Sequence, residues 1–176
     1  MWSGALDMNT DRNIVVTGFM GTGKSTVGKL LAEKLGRPFL DTDEEIVRRT
    51  GSTISEIFAR GGEQEFRHLE RRIARFLAAQ QGYVISTGGG MLVDDGNRQV
   101  MEASGFVVCL NATPETLSIR LANDQEERPL LNSNWRALLE RRQQAYAAIS
   151  HQIDTDGKSP ETIVDEIVGL WQTVTM

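Results

Sequence analysis

Gly18-Phe19-Met20-Gly21-Thr22-Gly23-Lys24-Ser25 is the stretch that decides the fold. Its spacing, G-x-x-x-x-G-K-[ST], is that of a phosphate-binding P-loop, which needs a buried strand before it and a helix after it. Both are legible. Asn13-Ile14-Val15-Val16-Thr17 is a short β-branched run suited to a parallel strand. Beyond Lys24, residues Val27, Leu30, Leu31 and Leu35 recur at helical spacing. Glycines 18, 21 and 23 let the backbone turn tightly and aim its N–H groups at an anion. The helix N-terminus adds partial positive charge at the same place. In such a loop Lys24 reaches the β- and γ-phosphates and the Ser25 hydroxyl ligates Mg²⁺. The motif predicts nucleotide binding and leaves the phosphoryl acceptor open.

Outward from this loop, strands and helices alternate, which predicts an α/β fold with a mainly parallel sheet. Pro38-Phe39-Leu40-Asp41 reads as the second strand, Tyr83 to Ser86 as the third, Phe106 to Leu110 as the fourth and Gln152-Ile153-Asp154 as the last. Between them, a short helix opens at Asp43 and ends near Gly51, and Ile54 to Phe58 forms a further turn or two stopped by Gly61-Gly62. A long helix runs from Glu63 to Gln80 with Phe66, Leu69, Ile73, Phe76 and Leu77 on one face. A polar helix covers Gly96 to Ala103, and Thr113-Pro114-Glu115 starts another. Asn123 to Asn134 reads as a mobile loop, Trp135 to Ile149 as a clear helix, and Ser159-Pro160-Glu161 caps the final one.

The chain has 176 residues, enough for one domain with a full core. Residues 13–176 form that domain, and the polar residues 1–12 are a flexible extension in which Met8 is an alternative start. Nineteen basic against 24 acidic side chains give a net charge of −5, with no basic run. That balance argues against nucleic acid as a partner and against a polybasic membrane patch. No apolar stretch is long enough to span a bilayer, and no signal pattern opens the chain. The one cysteine, Cys109, lies within an apolar run and reads as core. A cytoplasmic, monomeric protein is the expectation.

Outside the loop, a handful of residues carry chemistry. Asp41 ends the second strand, and ligands gather at the carboxyl ends of strands in an open parallel sheet. It can hold Mg²⁺ directly or through water. Asp43, followed by Glu44 and Glu45, is either a helix N-cap or a carboxylate that orients an acceptor hydroxyl. On a helical wheel, Trp135, Leu138, Leu139, Tyr146 and Ile149 share one face, with Arg142 in its middle and Arg141 pointing away. An inward arginine needs an anion, supplied either by a protein carboxylate or by a ligand. Arg67 opposes the dipole of its helix in the first turn, and is either a solvated surface arginine or the kind of local violation found more often at functional sites. Gly88-Gly89-Gly90 follows a strand directly and offers backbone that a ligand can approach. Arg128 sits in the loop and would stabilise a transferring phosphoryl group on closure.

Together these residues resemble the shikimate kinase family. The resemblance runs from about Asn13 to Trp171 and rests on Gly18 to Thr26, Phe39 to Asp43, Gly62 to Glu70, Gly88 to Gly90 and Arg128 to Leu131. An arginine four residues before a tyrosine, Arg142 and Tyr146, adds to it. It implies a P-loop NTPase three-layer α/β/α fold with a five-stranded parallel sheet, a lid and a substrate-binding helical segment. It implies ATP-dependent phosphorylation of the 3-hydroxyl of shikimate in aromatic amino-acid biosynthesis, with Mg²⁺. Arg67 and Arg142 would bind the shikimate carboxylate, with Asp43 and the backbone of Gly88, Gly89 and Gly90 on the ring hydroxyls. Lys24 and Arg128 would stabilise the phosphoryl group, and Ser25 and Asp41 would hold the metal. ATP would lie along Gly21, Thr22, Gly23, Lys24, Ser25 and Thr26, its adenine between Arg120 and Pro160. Many members carry a proline between the helix arginine and the tyrosine; here Gln143-Gln144-Ala145 has none. A kinase acting on gluconate or a nucleoside monophosphate, and a non-catalytic nucleotide-binding module, are the alternative readings.

Overall fold

The computed structural model describes residues 11–124 and 134–175. Its first strand, β1 (Asn13–Gly18), is buried along its whole length. It lies at the centre of a five-stranded sheet with β2 (Phe39–Asp41), β3 (Val84–Ser86), β4 (Gly105–Asn111) and β5 (His151–Asp154). The order is β2-β3-β1-β4-β5 and every pairing is parallel. Continuous burial explains why β1 reads as an unbroken β-branched run.

Successive residues of β1 serve opposite layers, as the two-residue strand period requires. Ile14 and Val16 pack with Val27 and Leu31 of α1 (Lys24–Leu35) and with Ile163 and Ile167 of α7 (Pro160–Thr175). Val15 faces the other layer, with Ile46 of α2 (Thr42–Thr50) and Ile57, Ile73 and Leu77 of α3 (Ile54–Ala78). Met101 of α4 (Asp95–Ser104), Leu117 of α5 (Pro114–Ala122) and Tyr146 of α6 (Trp135–Ala147) complete that side. The three-layer reading holds.

The chain crosses from β1 to β2 on one side and returns through β3, then passes to β4 on the other side of β1. Strand order therefore reverses beside β1, and a ligand crevice belongs at its carboxyl end. Register makes that end specific. Gly18 pairs with Leu110, and Asp41 with Ser86, so the segments after β1, β2 and β3 emerge side by side.

Four sequence expectations change in detail. The two helices expected on either side of Gly61-Gly62 form one element, broken at Gly62, whose φ of 68° only glycine adopts freely. Phe76, expected on the buried face, is 39% exposed and lies under the Arg49 guanidinium, 3.9 Å from its ring centre. Asp41, not Asp43, is the N-cap of α2: its carboxylate accepts from the Asp43 and Glu44 N–H groups. Asp11 and Arg12, assigned on sequence to the flexible extension, are tied in; Arg12 donates to the Glu102 and Gly105 carbonyls. Asp11 O accepts from Gly82 N–H. No helix among the described residues is long and apolar enough to cross a membrane.

Candidate active site

The loop after β1 turns where only glycine fits. A β-carbon on Gly18 would lie 2.4 Å from the Leu110 carbonyl oxygen, and Gly18, Gly21 and Gly23 all have positive φ. Gly23, at φ 91°, starts α1, so the helix N-terminus points into the loop. Lys24 bends back and donates to Phe19 O at 2.9 Å, and the Thr22 hydroxyl caps the same carbonyl at 2.8 Å. Across the mouth, Arg120 donates to Gly21 O at 3.3 Å and is steadied by the Thr155 hydroxyl at 3.0 Å.

A cleft of ≈ 480 Å³ opens over this loop. Gly21, Gly23, Lys24, Ser25 and Thr26 line one side, Arg120 the mouth, and Asp41, Asp43, Gly88 and Gly89 the far side. Pro160, the sequence candidate for an adenine contact, opens α7 and is not among the described residues lining the cleft. Arg128 lies outside the described residues.

Ser25 Oγ donates to Asp41 Oδ2 at 2.9 Å, while the other Asp41 oxygen caps α2. A hydroxyl and a carboxylate, hard oxygen donors at the foot of a phosphate loop, suit Mg²⁺. Among the described residues no cluster of three or more His, Cys, Asp or Glu could form a complete protein cage. That sparse donor set is the kind Mg²⁺ uses when phosphates and water supply the remaining ligands.

Beyond the phosphate loop the cleft is ringed by charge around Gly88-Gly89-Gly90. None of these glycines has positive φ, so conformational freedom is not why they are glycine. Space is. A β-carbon on Gly88 would meet Asp43 Oδ1 at 2.6 Å, one on Gly89 would meet Arg142 Nη1 at 3.4 Å, and one on Gly90 would meet both Arg67 amino nitrogens at 2.6 Å. Gly88 and Gly90 thus each make room for one charged side chain, Gly89 lies in ordinary contact with a third, and the three sequence-predicted acceptor residues converge on one loop.

Arg142 is 5% exposed, whereas neighbouring Arg141 is exposed, as the wheel predicts. Its guanidinium carbon sits 6.0 Å from the Phe19 ring centre, and no carboxylate among the described residues forms an ion pair with it. Arg67 differs. It is tied to Glu63 at 3.1 Å and to Glu70 at 2.5 Å. Glu63 precedes it by one turn just after the Gly62 break, so the arginine's unfavourable helix position is offset locally.

Two residues that sequence reasoning missed support the ring. Glu70 is 1% exposed, and its Oε1 has no hydrogen-bond partner among the described residues. Burial pushes its carboxyl up to about 7 against the pull of Arg67, and Asp43 nearby pushes the same way. The available signal was a charge inside an apolar stripe: Glu70 stands at helical spacing with Phe66, Ile73 and Leu77. Thr42, fully buried, accepts the Gly88 N–H on its hydroxyl at 2.8 Å. It carried no sequence signal beyond lying between two aspartates.

The arrangement can therefore hold a polyphosphate and a metal at one end, and at the other a small molecule with an anionic group and hydroxyls. The comparisons with known proteins agree. The family model for shikimate kinase matches residues 20–171. A shikimate kinase of Geobacter sulfurreducens is 51% identical over 161 residues, covering 89% of this chain and 88% of that protein. One from Persephonella marina is 47% identical, covering 90% and 98%. The structure of an Acinetobacter baumannii shikimate kinase in complex with shikimate superposes with a TM-score of 0.86 at 37% identity, covering 94% of this chain and 95% of that one.

Proposed function

The chain belongs to the shikimate kinase family, and from that premise we propose that it transfers the γ-phosphoryl group of ATP to the 3-hydroxyl of shikimate, giving shikimate 3-phosphate and ADP. The observation that carries the reading in this structure is Arg142. A guanidinium 5% exposed, with no ion-paired carboxylate among the described residues, lies against Gly89, which lines the cleft together with Asp43. A substrate carboxylate satisfies it, and the planar fork of an arginine suits that group better than a lysine would. A neutral polyol would leave the Arg142 guanidinium unanswered, whereas Arg67 already has Glu63 and Glu70.

The roles follow from position. The P-loop N–H groups and Lys24 hold the phosphates, Thr26 continues the helix start beneath them, and Arg120 at the mouth of the cleft bounds the adenine. Ser25 and Asp41 would hold Mg²⁺, which when bound neutralises charge on the β- and γ-phosphates. Asp43 accepts a hydrogen bond from the 3-hydroxyl and aims its oxygen at the γ-phosphorus. The new P–O bond forms as the β–γ bridging oxygen departs on ADP, and the hydroxyl proton leaves along its hydrogen bond to Asp43. Arg128, outside the described residues, takes from the family resemblance the role of stabilising the transferring group. Most of the rate then comes from positioning and preorganised charge. The reaction needs one copy of the chain, and its ATP dependence suits a cytoplasmic enzyme.

ADP release from Mg·ATP, measured with shikimate, gluconate and nucleoside monophosphates in parallel, tests the reading. Stimulation by shikimate alone supports it. Stimulation by another acceptor, or by none in a protein that still binds ATP, overturns it.

A further inference from the structure

The carboxylate-binding groups assigned above come from separate elements, and one side chain joins two of them. Tyr146 lies one helical turn beyond Arg142 on α6, and both are 5% exposed. Its hydroxyl donates to the Gly89 carbonyl at 2.7 Å. Arg142 lies against the same glycine, its Nη1 3.4 Å from where a Gly89 β-carbon would stand. We propose that Tyr146 is a positioning residue for the acceptor: its hydroxyl couples Arg142 to the glycine loop, so that the substrate carboxylate meets a site already assembled. This rests on the shikimate kinase reading and deepens it.

The chemistry singles out a hydroxyl. The Gly89 carbonyl only accepts, so the group that holds it must donate. Phenylalanine has the shape and no donor. The donor proton is secure, because burial pushes the phenol up to about 12 despite the nearby Arg142 charge.

The loop geometry gives the coupling a consequence. The Gly88 N–H is fixed by the Thr42 hydroxyl from α2. The Gly89 carbonyl is fixed by Tyr146 from α6. A planar trans peptide carries its N–H opposite its C=O, so holding the Gly89 carbonyl also sets the direction of the Gly90 N–H. Releasing that carbonyl leaves a glycine peptide free to rotate beside Arg142 and Arg67. Ordering the loop and the guanidinium would then fall to substrate binding, which weakens it. The Tyr146 ring packs edge-on against Phe19 of the P-loop, 6.5 Å between ring centres; phenylalanine at 146 keeps that contact, so ATP binding should change little.

Tyr146→Phe removes the hydroxyl alone. We expect the KM for shikimate to rise about tenfold, the scale of one buried hydrogen bond, with the KM for ATP within about twofold and a protein that still unfolds in one cooperative step. An unchanged KM for shikimate overturns the proposal, as does a parallel rise of both KM values, which marks general loosening. A wild-type protein that ignores shikimate removes the functional reading and this inference together; an active wild type with an unaffected Tyr146→Phe variant removes the inference alone.

Should that variant fail to fold, the wild-type chain supplies a second readout. It has two tyrosines, Tyr83 and Tyr146. Tyr83 lies at the opposite end of the sheet, where its N–H bonds to Asn13. With 3-fluorotyrosine incorporated and Tyr83→Phe used for assignment, shikimate should shift the Tyr146 fluorine resonance and leave Tyr83 in place. A Tyr146 resonance indifferent to saturating shikimate overturns the proposal.

Discussion

Arg67 donates to Glu70 at 2.5 Å, and Glu70 is 1% exposed while Arg67 stands against Gly90, whose absent β-carbon would lie 2.6 Å from its amino nitrogens. Glu70 holds one edge of the guanidinium and Glu63 the other, and the two carboxylates fix it beside the glycine loop. Glu70→Gln keeps the shape and loses the charge. It should raise the KM for shikimate about tenfold or more, the range for a charge-assisted bond, with little change in the KM for ATP. Steady-state kinetics with each substrate varied separately checks this.

The same carboxyl gives a pH dependence of stability. Burial raises the Glu70 carboxyl to about 7 from the ordinary 4.5. The folded state therefore holds a proton that the unfolded state releases, and stability falls as pH rises between the two values. The thermal midpoint of the nucleotide-free protein should decline across about pH 5 to 8 by more than that of Glu70→Gln. Parallel declines would remove Glu70 as the source.

The glycine loop should tolerate no β-carbon. Gly90→Ala would bring a methyl group against both Arg67 amino nitrogens, and Gly88→Ala against Asp43. Because the clash is with functional side chains rather than with the backbone fold, both variants should fold, bind ATP and lose most turnover. ATP titration followed by assay with shikimate separates these effects.

Asp41 carries two duties that substitution can part. Its carboxylate accepts from Ser25 and also caps α2. Asparagine caps as well as aspartate, whereas alanine costs about 1 kcal/mol at such a position. Asp41→Asn should raise the Mg²⁺ concentration needed for half-maximal activity at unchanged stability. Asp41→Ala should do the same and also lower the denaturation midpoint.

How much was legible in the sequence follows from range. The P-loop, β1 and α1 are local: a run of β-branched residues, three glycines with fixed roles and a helical stripe. Arg142 was legible because an isolated charge breaks the periodicity of α6. The same logic would have found Glu70, but Phe76 was assigned to that buried stripe and the break in pattern passed unseen. What periodicity cannot supply is partnership across elements. That Arg67 belongs to Glu70, Thr42 to Gly88, and Tyr146 to Gly89 depends on how α2, α3 and α6 meet at the end of β3. The reason for Gly88 to Gly90 was legible in kind, as room beside backbone, while the occupants of that room were set by tertiary packing.

The central claim is that Arg67 and Arg142 are there for a carboxylate, and the most direct test replaces that carboxylate in the substrate. Turnover of shikimate and of its neutral carboxamide should be compared in the wild type and in Arg142→Ala. The account predicts that the wild type discriminates against the carboxamide by about a hundredfold in kcat/KM, on the scale of losing a buried charged contact, and that Arg142→Ala erases most of that discrimination. Equal use of both compounds by the wild type would contradict it.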